Sequence, residues 1–230
     1  MKNRKFTTLA IAALSWMNLA SSALQGAVTS FDDITYWVGS GSNESALVID
    51  FHDGTGTSSF AWGYRWDGEA SGAQMILDIA ALDPMLSIVN LGDASSGFYL
   101  TEISYGSHSQ TADPLGTDGW GYYLAGGTAG GDSSGTDPTS IGDGGTDLPS
   151  TWTISPSGAS ESSSFGGVEY YGRMLADGSW DAWSFGSISE SYEHLAPPSG
   201  DIVAAPEPST YAFIVGFLAI LGAIVRRRPR

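Results

Sequence analysis

The sequence has no cysteine among its 230 residues, which excludes disulfides and thiolate metal ligands. Positive charge is scarce, because nine Lys and Arg residues stand against 25 Asp and Glu residues. Seven of the nine lie near the ends, at Lys2–Lys5 and Arg226–Arg230, so that only Arg65 and Arg173 lie between. The same central region holds 24 acidic residues against these two cations, a formal charge of −22.

This charge balance excludes one class of function. A nucleic-acid-binding protein neutralises phosphates with basic side chains, and the central region has almost none to offer. Anionic membrane surfaces would also repel it. Cations, neutral glycans and basic proteins remain as partners. The aromatic residues (eight Trp, ten Tyr and nine Phe) provide apolar area for the core of one ordinary domain.

The N-terminus has the pattern of a secretory signal peptide. Lys2, Arg4 and Lys5 form a basic region, residues 6–20 are mostly apolar, and small residues follow up to Ala23. We therefore predict a signal peptide at 1–23 that directs the chain to the Sec export machinery. Cleavage after Ala23 is the first choice and cleavage after Ala27 the second.

The C-terminus combines three features in order. Pro206, Glu207 and Pro208 precede an uncharged apolar run at 211–225, and the chain then ends in basic residues, namely Arg226, Arg227, Arg228 and Arg230. Fifteen residues in a helix span only about 22 Å, which is short for a bilayer core of about 30 Å. The run predicts a short transmembrane helix whose arginines stay on the cytoplasmic side. A plain membrane anchor is the simpler alternative.

Order, spacing and terminal placement of these features resemble the PEP-CTERM sorting signal of exported bacterial proteins, over residues 205–230. The resemblance implies an exosortase-type enzyme that recognises the signal and removes the tail. It also implies that the precursor is anchored in the inner membrane before it reaches the cell surface or the extracellular space. It implies nothing about the activity of the ectodomain, which we place at 28–195 with a linker at 196–205.

The ectodomain pattern predicts mostly strands and one helix. Phe60, Trp62, Tyr64 and Trp66 alternate with smaller or polar residues, as in a strand with one aromatic face. Ser71 and Gln74 fit a capping box, apolar residues follow at helical spacing and Pro84 ends the pattern, which predicts an amphipathic helix at 72–82. The other predicted strands are at 28–36, 46–51, 86–91, 98–105, 120–124 and 151–155, with a closing hairpin of 168–174 and 179–185 and a flexible Gly/Ser/Asp insertion at 126–149.

A hairpin followed by a helix and more strands predicts an α+β, mostly β fold with a β-grasp-like sheet; an all-β sandwich is the alternative. Trp120-Gly121-Tyr122-Tyr123, the Asp177-Gly178 turn and Trp183 resemble the β-grasp domain of cobalamin carriers. The insertion departs from the compact form of that domain. The resemblance concerns the fold alone, so cobalamin binding is not implied and we predict no cofactor.

Catalytic motifs are weak. Gly131-Asp132-Ser133-Ser134-Gly135 matches Gly-x-Ser-x-Gly but lies in the low-complexity insertion, away from the strand and helix that a nucleophile elbow needs. The histidines (His52, His108 and His194) lack the spacing of metal ligands. A hydrolase that uses His52 beside Asp53 is an alternative, and an exposed turn pair is the favoured interpretation. We predict no catalytic residues.

Two groups of residues, the aspartates of the insertion and several aromatic side chains, could bind a ligand but could also be purely structural. The acidic insertion offers a weak calcium candidate at Asp132, Asp137, Asp143 and Asp147, although a solvated loop is favoured. Aromatic side chains that would stack on sugars are Trp62, Tyr64, Trp66, Trp180 and Trp183, although a core face is favoured for the first three. The sequence thus predicts a non-enzymatic, exported cell-surface or extracellular-matrix protein. A carbohydrate-binding module that contacts extracellular polysaccharide and a secreted hydrolase are the alternatives.

Overall fold

The computed structural model describes residues 26–93, 97–113, 117–126, 145–155, 162–165, 168–171, 173–188 and 196–208. These residues form twelve strands, one α-helix and a 3-10 turn at Phe31–Asp33. The fold is α+β and mostly β, as predicted.

A mixed sheet of seven strands is the centre of the domain. Its strands are β1 (Trp37–Gly39), β2 (Asn43–Asp50), β3 (Ser59–Trp66), β7 (Asp118–Ala125), β8 (Thr153–Ile154), β11 (Ser179–Ser187) and β12 (Ile202–Ala204). Strands β2 and β3 form an antiparallel hairpin, and β11 lies beside β2 in parallel, with β7 and β8 beyond it. On the far edge of β3, β12 and β1 run parallel to its first and second halves.

Two smaller antiparallel sheets accompany the central one. Strands β4 (Leu86–Asp93), β5 (Gly97–Tyr105) and β6 (His108–Thr111) form a meander, with a register shift between Val89 and Asn90. Strands β9 (Ser162–Phe165) and β10 (Val168–Tyr171) pair with each other.

Helix α1 (Gly72–Leu82) has the predicted bounds. It begins where the Ser71 hydroxyl accepts a hydrogen bond from the backbone N–H of Gln74, at 3.2 Å. In a complete capping box the Gln74 side chain would also accept a hydrogen bond from the Ser71 backbone N–H. Here the Gln74 amide donates to Asp78 instead. The helix ends at Leu82, because Asp83 precedes Pro84 and has an extended backbone.

Both faces of the central sheet are buried. Alternate residues of β2, such as Leu47 and Val48, face opposite layers, which explains the unbroken apolar run in this strand. On one face, α1 and the β4–β6 meander cover the aromatic side chains of β3; on the other, the segment 28–34 covers the small residues. The principal members of the first core are Phe51, Phe60, Trp62, Tyr64, Met75, Ile76, Ile79, Phe98, Ile103 and Trp183, and those of the second are Val28, Phe31, Ile34, Val48, Ala61, Tyr123 and Trp180.

Three predictions of local structure are wrong. The segments 168–174 and 179–185 do not form a hairpin: β10 pairs with β9, whereas β11 lies between β2 and β7. The predicted strand at 28–36 contains the 3-10 turn, because the Asp33 carboxylate accepts hydrogen bonds from Thr29. The predicted linker at 196–205 contains β12, whose residues are buried against β3. In each case long-range pairing or a side-chain hydrogen bond outweighs the local pattern.

No helix within the described residues has the length and hydropathy of a membrane span. The transmembrane helix predicted at 211–225 lies outside the described residues, as do the signal peptide and most of the acidic insertion.

Candidate functional site

The aromatic residues considered for sugar stacking are all buried. Trp62 has no exposed surface, and its indole N–H donates to the Asp83 carboxylate at 2.8 Å. Tyr64 donates to Asp78 at 2.6 Å and stacks on Trp66. Burial and the bond to Asp78 raise the pKa of Tyr64. These rings offer no face to a ligand in this structure, which favours the core interpretation.

Trp180 and Trp183 lie on opposite faces of β11 and are likewise buried. The Trp183 ring stacks on Tyr122 with centroids 4.8 Å apart, whereas Trp180 contacts Phe31 and donates to the carbonyl of Gly145 at 3.0 Å. Both tryptophans therefore join the sheet to its covering layers.

Of the four aspartates proposed as calcium ligands, the structure describes only Asp147. Asp147 is exposed and forms a backbone bridge with Ser30, while Asp132, Asp137 and Asp143 lie outside the described residues. Within the described ranges, no three His, Asp or Glu side chains come together as a metal site would require. The Gly131–Gly135 motif and His194 also fall outside these ranges.

The strongest polar cluster is one that the sequence analysis did not single out. Arg173 and Asp181 form a fully buried ion pair, with side-chain exposures of 1% and 0%. Arg173 Nε donates to Asp181 Oδ1 at 2.6 Å, and Nη2 donates to the same oxygen. The second carboxylate oxygen accepts a hydrogen bond from the Tyr122 hydroxyl. Both oxygens of the buried carboxylate are therefore satisfied, as a charge in a core requires.

The other donors of Arg173 hold backbone carbonyls at the ends of two strands. Nη2 donates to Trp180 at 2.9 Å and to Ala125 at 3.1 Å, and Nη1 donates to Gly126. Because β7 ends at Ala125 and β11 begins at Ser179, this guanidinium joins the end of β7 to the beginning of β11.

Helix α1 begins directly above this cluster. The backbone N–H of Gly72 donates to the Arg173 carbonyl at 2.9 Å, and a Cβ at Gly72 would lie 1.9 Å from the Tyr122 hydroxyl. The close approach therefore requires glycine. Burial and the Asp181 charge raise the pKa of Tyr122 well above its ordinary value, with Arg173 opposing. The arrangement keeps Tyr122 protonated as a hydrogen-bond donor, and it connects a helix with two strands.

Two histidines pair with carboxylates at the β2–β3 loop, but not in the combination that the sequence suggested. His52 Nε2 lies 2.9 Å from Asp50, and His108 Nδ1 lies 2.7 Å from Asp53. Asp53 thus joins the loop to strand β6. His52 has a positive φ of 44°. Burial alone would raise the pKa of Asp53, but hydrogen bonds from Thr55 and His108 outweigh burial and lower it.

The second pair does not have the order of a catalytic triad. In a triad the hydroxyl contacts the imidazole and the carboxylate orients the imidazole from its other side. Here the Thr55 hydroxyl donates to Asp53 at 2.7 Å, on the carboxylate side of His108. The His108 ring also lies against Phe51 and Phe60 in the core. These contacts support a structural role for the pair.

The two ends of the described domain lie side by side. Ala27 forms an antiparallel bridge with Val203, and the Val28 N–H donates to the Ile202 carbonyl at 2.7 Å. Ala205, which directly precedes the predicted sorting motif, has no exposed surface, and its N–H donates to the Ala61 carbonyl at 2.8 Å.

Pro206 and Pro208 are half-buried and Glu207 is exposed. Burial, the charge of Asp83 and the charge of Glu207 raise the pKa of Tyr36, so the motif lies near this face of the domain. The predicted membrane-stop residues lie outside the described residues, namely Arg226, Arg227, Arg228 and Arg230.

Comparison with known proteins found no matching family model, no matching curated protein and no matching solved structure.

Proposed function

We propose that the chain is an exported bacterial protein of the cell surface or extracellular matrix, without catalytic activity, sorted by its C-terminal PEP-CTERM signal. One observation carries this proposal. The antiparallel bridge between Ala27 and Val203 brings the chain end that follows the signal peptide next to the chain end that leads to the sorting motif.

Antiparallel neighbours give these two connections the same direction. The chain traced backward from Ala27 and the chain traced forward from Val203 leave the sheet edge together. The apolar runs at 6–20 and 211–225 both have their basic residues on the side remote from the domain. Because basic flanks stay in the cytoplasm, an exported precursor can have both runs in one membrane and the domain outside.

The charge of the domain supports the same topology. A formal charge of −22 between the two terminal signals favours solubility and separation from anionic lipid surfaces. Both arginines of this region also have partners within the domain. Arg173 is buried with Asp181, and Arg65 binds Glu44 and covers the Trp37 ring. Nucleic acid is accordingly not among the proposed partners.

We also infer a β-grasp arrangement for the core. The β2–β3 hairpin precedes α1, and α1 packs on the sheet that the hairpin begins. The motif residues that resemble the cobalamin-carrier domain fall on adjacent strands, with Tyr122 opposite Trp183. This supports a relation of fold, and no cofactor is proposed.

The proposed partners are the Sec machinery during export and an exosortase-type enzyme at the tail. The absence of catalytic activity is supported by the His108–Asp53 pair, whose ring and hydroxyl contacts are those of a structural junction.

Cell fractionation with intact-mass measurement tests the proposal. We expect the wild-type protein outside the inner membrane, without its signal peptide and without the tail that follows the sorting motif. Glu207→Ala should retain the tail and stay in the inner membrane. Asp201→Asn, an exposed substitution six residues upstream, should behave as wild type. A full-length wild-type protein that stays in the cytoplasm would overturn the proposal.

A further inference from the structure

The segment that precedes the sorting motif is part of the folded domain. We call residues 199–205 the terminal segment. It contains β12, which runs parallel to β3 with Val203 opposite Phe60. Val203 belongs to the core on the helix side of the sheet, whereas Ile202 and Ala204 belong to the core on the other side. The terminal segment therefore contributes to both hydrophobic layers.

Hydrogen bonds hold the terminal segment at its beginning and at its end. At the beginning, the Ser199 N–H donates to Asp50 at 2.9 Å, and the same carboxylate oxygen lies 2.9 Å from His52. At the end, the Ala205 carbonyl accepts from the Thr35 hydroxyl at 3.0 Å. A peptidase that cut within residues 202–205 would have to pull these residues out of both core layers.

The N-terminal side of the domain is attached to the same segment. Val28 is buried, and both Ala27 and Val28 pair with residues of β12. Loss of Ala27 would remove the bridge to Val203 and place a charged amino terminus at buried Val28, which burial disfavours. This distinguishes the two cleavage positions that the sequence leaves open, after Ala23 and after Ala27.

Exposure changes abruptly at the ends of this paired region. Residues Ile202 to Ala205 are buried, whereas Asp201 before them is exposed, Pro206 after them is half-buried and Glu207 is exposed. On the other side, Val28 is buried, whereas Ala27 and Gly26 are exposed. A peptidase needs an accessible stretch of chain in its active site, and the chain becomes accessible beyond Ala205 and before Val28. On the N-terminal side, the bridge between Ala27 and Val203 moves the limit to before Ala27.

We infer that the fold sets the limits of both processing sites: signal cleavage occurs before Ala27, and tail cleavage occurs after Ala205, so the mature chain keeps the terminal segment. The inference rests on the proposed export and sorting. Each cut is a hydrolysis, in which water supplies the hydroxyl of the new carboxylate and the proton of the new amine. No other co-reactant is needed.

The first test is the intact mass of the native mature protein. We expect an N-terminus at Leu24 and a C-terminus after Ala205. An exported product that begins at Val28, or that ends within 199–205, would overturn the inference and leave the proposed sorting intact.

The second test does not require export. The full-length chain in detergent is treated briefly with a broad-specificity protease, and the fragments are weighed. We expect early cuts before Ala27 and after Ala205, with residues 202–205 protected. Val203→Asp places a charge in the core and should make residues 202–205 cleavable, whereas Asp201→Asn should leave them protected. Early cuts within 202–205 of the wild-type chain would refute the inference, even if the protein is never exported.

Discussion

The buried ion pair gives the sharpest stability prediction. Arg173→Met keeps much of the apolar volume of the side chain but removes the guanidinium. The guanidinium N–H groups are those that donate to Asp181 and to the carbonyls of Ala125, Gly126 and Trp180. The Asp181 carboxylate then keeps its contact with Tyr122 but has no countercharge. A buried charge that loses its partner costs about 3–5 kcal/mol.

That loss is large relative to the total stability of a domain, about 5–15 kcal/mol. Equilibrium urea unfolding of the purified protein, followed by tryptophan fluorescence, measures it. With a slope of about 2 kcal/mol per molar urea, a loss of about 4 kcal/mol lowers the midpoint by about 2 M. The eight tryptophans make fluorescence a suitable signal, since Trp180 and Trp183 flank the ion pair.

The other arginine of the central region supplies the matched control. Arg65 is 41% exposed, pairs with Glu44 and lies 4.5 Å from the centre of the Trp37 ring. Exposed pairs contribute about 0–1 kcal/mol, so Arg65→Met should shift the midpoint by less than about 0.5 M. Arg173→Met combined with Asp181→Asn should recover part of the loss, because the uncompensated charge is gone. Equal, small shifts for Arg173→Met and Arg65→Met would refute the reasoning.

Three further changes test neighbouring contacts by the same urea measurement. Gly72→Ala should lower the free energy of unfolding by at least about 2 kcal/mol, because the new Cβ overpacks against the Tyr122 hydroxyl. The control is Gly56→Ala, where a Cβ meets nothing within 4 Å, and it should change this free energy by less than about 0.5 kcal/mol. Tyr122→Phe should cost about 1.5–3 kcal/mol near neutral pH. Because the folded state raises the pKa of Tyr122, this contribution is complete below about pH 10 and declines as pH rises further; a cost that grows in alkali would contradict the assignment. Asp53→Asn should lower the free energy of unfolding by up to about 1 kcal/mol near neutral pH. Because folding lowers the pKa of Asp53, this loss should vanish as pH falls below about 4. A loss that is independent of pH would contradict the role of the Asp53 carboxylate.

Local patterns predicted those elements whose own sequence fixes their structure. The bounds of α1 follow from the Ser71 hydroxyl at its start and Pro84 after its end, two interactions within a few residues of the chain. The aromatic alternation of β3 likewise follows from the two-residue period of a strand. The strand predicted at 179–185 agrees with β11, but its predicted partner at 168–174 is wrong, because the choice of neighbour depends on the whole sheet.

The candidate sites show the same division. The sequence isolates Arg173 as one of two Lys or Arg residues in the central region, which is a signal that it has a special environment. That Asp181 is its partner depends on β11 lying beside β7. Similarly, His52 is adjacent to Asp53 in the chain and yet contacts Asp50, because the loop turns back toward its own strand. Asp53 is left to His108, which is 55 residues away.

Composition and short motifs are properties of the chain alone, and they determined the absence of disulfides, the acidic central region and the predicted signals at the two ends. Only the tertiary structure decided that the predicted linker is a buried strand and that the two ends pair through Ala27 and Val203. The physical reason is that Ile202–Ala204 gains its stability from long-range burial beside β3. A three-residue strand has no local pattern strong enough to specify that partner.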